Sequence, residues 1–362
     1  MSAFFRMHFR TLWSDFFTVT NPNFFTGRQT PSVTYVYFIN CVFNSITSSS
    51  DGGALYCTSA SYFLVESTSF FSCKTSTSQG GAIYFSSSGH SVLYNVCGND
   101  CCARTTSDSY YQFAYICVSN VASYKNYVNY SSIARCVNER SDSYYTLRLD
   151  YAKILCPSVN MSMNKCAYRT FYCYPYGDSK SVTCSFTYST FTDIIASAYT
   201  TICLASGGAN YEIKSCNILR NTQGSSGSQG TFYSAGNFII KDSCIIGNNA
   251  YYIFFQSSPS YTTTLSNCTI DKITIYGYLI TQNTVATSFI LGLNHMSTRN
   301  CHAQYDAVGT LSPAIKSSSS ENQIHCYSGA GFFIQLPQES FLSLARVLTF
   351  NFIHLDIFND PL

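Results

Sequence analysis

Short stretches in which apolar or small residues occupy alternate positions recur along the chain. A cysteine followed two residues later by Phe or Ile, as in Cys216 with Ile218, places both side chains on one face of a β-strand. Between these stretches lie segments rich in Ser, Thr, Gly and Asn, such as residues 48–53 and 223–230, which are typical of turns. No copy has the 3.6-residue period of a helix. The pattern therefore predicts an all-β chain of short strands joined by turns.

The recurrence has a nearly constant period of about 28 residues. Its clearest sign is the pair of segments Asp51–Tyr56 (DGGALY) and Gln79–Tyr84 (QGGAIY). A unit of this length with two or three short strands cannot bury its apolar face alone, but it can stack on an identical neighbour. The period predicts a parallel β-helix of about 12 coils over residues 1–330, and residues 331–362 break the repeat. The anchor positions of the predicted coils are 7, 41, 69, 97, 132, 162, 184, 216, 244, 268, 297 and 322.

Stacking of the coils accounts for many of the 18 cysteines. Equivalent residues of successive coils lie about 4.8 Å apart, and a reduced cysteine behaves as a small buried hydrophobe. We expect Cys216, Cys244 and Cys268 to be consecutive, reduced rungs of an interior ladder, with disulfides or a metal site as the alternatives. The predicted core ladder comprises Cys41, Cys97, Cys184, Cys216, Cys244 and Cys268 together with Phe43, Phe71, Phe186, Ile218, Ile246 and Ile270.

Two glycine pairs mark a repeated corner, Gly52–Gly53 and Gly80–Gly81. Glycine reaches positive φ without penalty, so each pair is expected to turn the chain into the Ala-Leu-Tyr or Ala-Ile-Tyr strand that follows. A phosphate-binding loop is not indicated, because no Lys-Ser/Thr follows either pair and no helical pattern begins there.

The Gly-Gly-Ala-Ile/Leu-Tyr corners and the Cys-x-Phe/Ile anchors resemble the β-helix surface proteins of trichomonad protists. Those proteins resemble chlamydial polymorphic outer-membrane proteins, whose repeats pair Gly-Gly-Ala-Ile with Phe-x-x-Asn. The second half of that repeat survives here as Ile218-x-x-Asn221 and Ile246-x-x-Asn249. The resemblance extends over residues 1–330 and implies a right-handed, pectin-lyase-like solenoid that is exposed at the cell surface and acts as an adhesin. Residues 331–362 are then a C-terminal cap or an irregular tail.

Charge and hydropathy limit the partners and the location. The formal net charge is only +2, and the 20 Lys and Arg residues barely exceed the 18 Asp and Glu residues, so no basic face for nucleic acid is expected. No apolar run approaches the roughly 18 residues of a membrane-spanning helix. Arg6, Arg10 and Asp15 interrupt any secretory leader. The cell surface is therefore expected from the resemblance alone, and a cytoplasmic chain is the alternative.

Aromatic residues make up 16% of the chain, which favours a binding role. Long solenoid faces rich in Tyr, Ser, Thr and Asn suit a glycan or a protein of the cell surface, bound by ring stacking and hydrogen bonds without a cofactor. The candidate ligand-binding residues are Tyr110, Tyr111, Tyr144 and Tyr145. A purely structural or degenerate copy of the family is an alternative.

An enzyme is a further alternative, because β-helix proteins include polysaccharide lyases and glycoside hydrolases. The carboxylates here are sparse, and neither Asp-Asp nor Asp-x-Asp occurs, so paired acid and base chemistry is not indicated. No metal site is predicted. The residues that come nearest to a metal site are the group Cys97, Cys101 and Cys102 and the pairs Cys301–His302 and His325–Cys326. The two pairs could hold zinc if adjacent coils bring them together.

Overall fold

The computed structural model describes residues 24–76, 78–103, 111–136, 144–224, 229–286 and Cys301. These residues form short strands and no helix, and every strand pairing is parallel between one turn and the next. The described part of the chain is therefore an all-β parallel solenoid, as the repeat predicts. Three of the twelve predicted anchors, at positions 7, 297 and 322, lie outside the described residues, as does the predicted boundary after residue 330.

Three long sheets run along the solenoid, and two three-stranded sheets lie between them. Sheet A has ten strands: Tyr35–Ile39, Tyr62–Glu66, His90–Tyr94, Lys125–Asn129, Lys153–Pro157, Val182–Thr187, Asn210–Lys214, Asn237–Lys241, Thr262–Ser266 and Tyr278–Gln282. Sheet B has ten: Phe24–Phe25, Val42–Asn44, Ser69–Phe71, Cys97–Asn99, Ser132–Ala134, Asn160–Ser162, Thr190–Thr192, Asn217–Leu219, Cys244–Ile246 and Thr269–Ile270.

Sheet C has nine strands: Leu55–Cys57, Ile83–Ser86, Tyr111–Cys117, Tyr145–Asp150, Arg169–Tyr174, Thr200–Leu204, Phe232–Ser234, Phe254–Gln256 and Ile275–Tyr276. The small sheets consist of Thr47–Ser48, Lys74–Thr75 and Cys102–Ala103, and of Lys165–Cys166, Ile195–Ala196 and Thr222–Gln223. Each turn thus passes from sheet A through sheet B, and in most turns a small sheet, to sheet C. The apolar interior lies between the sheets.

The corner from sheet A into sheet B, here the first corner, follows one rule in every turn. A residue with positive φ is followed by a small buried residue, which in most turns hydrogen-bonds backbone groups. Cys216 is typical: its Sγ donates to Lys214 O at 3.2 Å and accepts the N–H of Ser189, one turn before, at 3.3 Å. The hydroxyl of Ser243 makes the same two bonds with Lys241 and Cys216. The small residues of this column are Cys41, Thr68, Val96, Ser131, Val159, Ser189, Cys216, Ser243 and Cys268.

The corner that leaves sheet B, the second corner, lies five residues further on. Asn221 is typical of it: Oδ1 accepts the N–H of Ile194 at 3.1 Å, and Nδ2 donates to Phe191 O at 3.0 Å. Where cysteine replaces asparagine, its thiol keeps the second bond, as from Cys73 to Phe43 O at 3.5 Å. The column reads Ile46, Cys73, Cys101, Cys136, Asn164, Ile194, Asn221 and Asn248.

The Gly-Gly corners immediately precede two strands of sheet C. Gly52 and Gly80 have φ of 65° and 69°, a region that disfavours residues with a Cβ. Gly53 and Gly81 need to be glycine for another reason, because a Cβ there would collide with the backbone of the next turn.

Several predicted core positions are wrong by one residue or lie in another column. In sheet B, Phe43 pairs with Phe70, so Phe70 is buried and Phe71 faces outward, half-buried. Ile245 pairs with Ile218 and points inward in place of Ile246. A slip of one residue moves a side chain to the opposite face of a strand.

The predicted cysteine ladder is corrected in the same way. Cys244 pairs with Asn217, so it is not a rung between Cys216 and Cys268; Ser243 is. Cys184 and Phe186 are buried in sheet A instead of sheet B. Cys41, Phe43, Ile218 and Ile270 do lie buried in the columns of sheet B. The cysteines that occupy one column in three successive turns are Cys73, Cys101 and Cys136.

Candidate functional site

The outer face of sheet C carries a row of mainly aromatic side chains that lie in register from turn to turn. They alternate with the apolar residues that the same strands turn inward, such as Leu55 and Ile83, and most of them are half-buried. We call this set the aromatic row. It comprises Tyr56, Tyr84, Tyr115, Arg148, Tyr172, Cys203, Tyr233, Phe255 and Tyr276.

The rings of the aromatic row stack on one another at both ends of the sheet. The ring centroids of Tyr56 and Tyr84 are 5.4 Å apart and nearly parallel. At the other end Phe255 lies 5.9 Å from Tyr233 and 4.8 Å from Tyr276. Ring stacking at these distances follows from the strand spacing and fixes the ring orientations.

Arg148 is the fourth residue of the aromatic row and follows Tyr115. Its guanidinium lies over the ring of Tyr172 at 4.7 Å and within 5.7 Å of the rings of Tyr111, Tyr115 and Tyr145. Its Nε and Nη2 donate to the carboxylate of Asp150 at 2.8–2.9 Å. Asp150 is only 3% exposed, and this burial raises the pKa of its carboxyl while Arg148 acts in the opposite direction. The charge of Arg148 is therefore balanced within the face.

Arg169 lies beside this pair without a carboxylate of its own. Its guanidinium is 5.5 Å from the ring of Tyr199, 5.7 Å from Tyr172 and 6.0 Å from Tyr233, and Nη1 donates to the hydroxyl of Tyr145 at 3.3 Å. Within the described residues the ion pairs join Lys74 to Asp100, Arg148 to Asp150, Arg220 to Asp193 and Lys241 to Glu212, so Arg169 contributes an unbalanced positive charge to the face.

The tyrosines predicted to bind ligand lie around these two arginines. Tyr111 and Tyr145 are buried and stack on each other at 5.4 Å beside Arg148. Tyr144 is half-buried and begins a separate stack with Tyr168 and Tyr199, with centroid distances of 3.8 and 4.5 Å. Tyr110 lies outside the described residues. The face thus includes Tyr111 and Tyr145, has Tyr144 beside them, and extends well beyond these residues.

Sequence reasoning missed Arg148, Arg169 and most of the aromatic row. One signal was available, because the tyrosine that ends each Gly-Gly-Ala-Leu/Ile-Tyr corner, Tyr56 and Tyr84, begins the row. The two arginines carry no such signal in a chain without aligned relatives.

Cys97, predicted as a core residue, is 3% exposed, but it lies in the outward column of sheet B next to the inward column of Phe70 and forms a disulfide with Cys301. Nδ2 of Asn99 also donates to Cys301 O at 2.9 Å. The remaining described cysteines are free, and all but Cys117 are buried. Among the described residues no group of His, Cys, Asp and Glu side chains is arranged to hold a metal ion, and the predicted His302, His325 and Cys326 lie outside them.

Comparison with known proteins gives one match. Residues 40–58 match the model of the Chlamydia polymorphic membrane protein (Chlamydia_PMP) repeat. This stretch runs from the first corner through one strand of sheet B and the Gly52–Gly53 corner to the beginning of the aromatic row. No curated protein and no solved structure matches the chain. A parallel solenoid that carries this repeat fits a surface repeat protein, and within the described residues no helix is long and apolar enough to cross a membrane.

Proposed function

We propose that this chain is a non-enzymatic, right-handed and pectin-lyase-like β-helix protein of the cell surface, which binds glycans on the outer face of sheet C. The observation that carries the proposal is the aromatic row, whose in-register rings repeat at the strand spacing. Exposed faces of aromatic rings suit the apolar faces of sugar rings, and a rigid solenoid can present several such rings in line.

The face is built for binding more than for catalysis. Asp150, the carboxylate beside Arg148, is buried and paired with it. Hydrolysis of a glycosidic bond needs two carboxyl groups that flank the bond, one of them free to donate a proton. The surface location is supported by the polymorphic membrane protein repeat at residues 40–58.

A glycan array tests the proposal directly. The double variant Tyr84→Ser/Tyr233→Ser removes two rings of the aromatic row. The matched control, Tyr35→Ser/Tyr62→Ser, removes two stacked tyrosines 4.9 Å apart on the outer side of sheet A. We expect the first variant to lose at least about tenfold in affinity for the glycans that the wild type retains, and the control to bind normally. Equal binding by both variants would refute the role of sheet C. Antibody labelling of intact cells that express a tagged chain tests the location.

A further inference from the structure

Arg169 differs from the other described arginines of this face in the partners of its guanidinium. Arg28, whose guanidinium lies 4.8 Å over the ring of Tyr56, donates to the backbone carbonyls of Asp51 and Gly52. Arg148 is neutralised by Asp150, whereas Arg169 has three aromatic rings and one tyrosine hydroxyl around it and no anion. Cation–π contacts and a hydroxyl satisfy an arginine only in part, because its planar guanidinium carries five N–H donors that match an acid group.

The nitrogen atoms of Arg169 differ in what they can still bind. Nε is buried and has no hydrogen-bond partner, and Nη1 donates to the hydroxyl of Tyr145. Within the described residues Nη2 makes no hydrogen bond, and it is not fully buried. The two terminal nitrogens therefore form the side of the fork from which a ligand can approach.

The surroundings strengthen the attraction for an anion. Rings of Tyr172, Tyr199 and Tyr233 shield the guanidinium from water, and a charge in such surroundings interacts more strongly than one in bulk solvent. A carboxylate placed against the terminal nitrogens can accept two parallel, charge-assisted hydrogen bonds.

The adjoining surface favours a sugar over a peptide as the carrier of that carboxylate. An extended peptide would bind by adding a strand, which needs an unpaired sheet edge. The strands of sheet C that hold Tyr145, Arg169 and Tyr233 are each paired on both sides within the sheet. Tyr172 and Tyr233, whose half-buried rings lie on either side of Arg169, offer instead apolar ring surface and hydroxyl groups to a sugar.

We propose that the outer face of sheet C binds acidic glycans, with a sugar carboxylate on Nη1 and Nη2 of Arg169 and the neighbouring sugars over Tyr172 and Tyr233. This inference rests on the proposed glycan binding and adds the chemical class of the ligand. It names a specificity-determining residue that neutral glycans would not require.

The test is an array of matched pairs, in which each carboxylated glycan is printed beside its methyl ester or neutral parent. Sialyllactose with lactose and tetragalacturonate with its methyl ester are two such pairs. We expect the wild type to prefer the acidic member of at least one pair by about tenfold or more, and raised salt to weaken that preference. Arg169→Gln should abolish the preference, and Arg169→Lys, which keeps the charge but not the fork, should retain only part of it.

The control variant Arg135→Gln removes the same charge from an exposed position beside sheet B and should bind as the wild type does. If Arg169→Gln fails to fold, the wild-type preference, its salt dependence and the Arg169→Lys variant still decide the question. Equal binding of acidic and neutral members, or a preference that survives in Arg169→Gln, would overturn the inference and leave glycan binding intact. If the wild type binds no glycan on the array, both proposals are overturned.

Discussion

Replacing Asn248 with alanine should destabilise the solenoid far more than the same change at Asn249. Asn248 occupies the second corner and is 6% exposed. Its Oδ1 accepts the backbone N–H of Asn221 at 3.0 Å, and its Nδ2 donates to Ile218 O at 2.8 Å. Asn249 is exposed, and its hydrogen bonds to Asn221 and Gln223 are made by the backbone alone.

The magnitude follows from the groups that lose their partners. Asn248→Ala leaves the backbone N–H of Asn221 unsatisfied, which costs about 1–3 kcal/mol, and removes one of the two hydrogen bonds to Ile218 O, which contributes about 0.5–1.5 kcal/mol. The expected loss in the free energy of unfolding is therefore about 1.5–4.5 kcal/mol, whereas an exposed substitution such as Asn249→Ala changes it by about 0.5 kcal/mol or less. Asn248→Cys should fall between them, because a thiol keeps the donor, as Cys73 does, and loses the acceptor.

Urea unfolding followed by far-ultraviolet circular dichroism measures these differences in the isolated chain. The slope of the free energy against urea should be the same for all variants, so that a shift in midpoint reports stability alone. Equal losses at Asn248 and Asn249, or the larger loss at Asn249, would refute the register of the second corner. The pattern Ile246-x-x-Asn249 expected from the sequence would then be the correct one.

Three further outcomes are expected. Phe70→Ala should cost about 3–5 kcal/mol, because this fully buried ring stacks on that of Phe43 at 4.8 Å, while Phe71→Ala should cost less than half as much in the same urea assay. Burial raises the pKa of the Cys216 thiol to about 12 from an ordinary 9, so the unfolded chain loses this proton first and stability should fall as the pH rises from about 9 to about 12. The urea midpoint of Cys216→Ser should fall less steeply over this pH range. An identical fall in the variant and the wild type would contradict the burial of the thiol. Digestion without reductant should yield a linked peptide pair containing Cys97 and Cys301, and alkylation of both thiols before reduction would disprove the disulfide.

The period and the strand content could be predicted from the sequence because stacked turns require the same pattern of buried residues in each turn. A small residue followed two positions later by a large apolar one is what a short strand with one buried face requires. Cys216 with Ile218 and Cys268 with Ile270 fit this pattern. The structure places the cysteines in the column of the first corner and the isoleucines in the inward column of sheet B.

The register of the strands could not be predicted, because cysteine occupies several different columns of this solenoid and has a different bonding role in each. At the first corner the thiol of Cys216 hydrogen-bonds backbone groups as a serine would. At the second corner Cys73 donates to a carbonyl as an asparagine would. Cys97 and Cys244 belong to the outward column between the two corners, and Cys97 forms a disulfide there. Aligning the chain on its cysteines therefore merges columns that lie one to five residues apart, and Phe71 and Ile246 were misassigned for that reason.

The arginines of sheet C lie in the two turns that follow the longest turn of the described solenoid. The interval from Cys97 to Ser132 is the longest between successive strands of sheet B. In the same turn the pairing of sheet C shifts register between Tyr111 and Ala114, as at a β-bulge. A bulge re-aims the side chains beside it, and such irregularities are common next to functional sites. Here the shift brings Tyr111 close to Arg148 in the following turn. The hydroxyl of Tyr111 there accepts a hydrogen bond from Nη1 of Arg148 at 3.3 Å, so the irregular turn supplies a polar partner for the guanidinium.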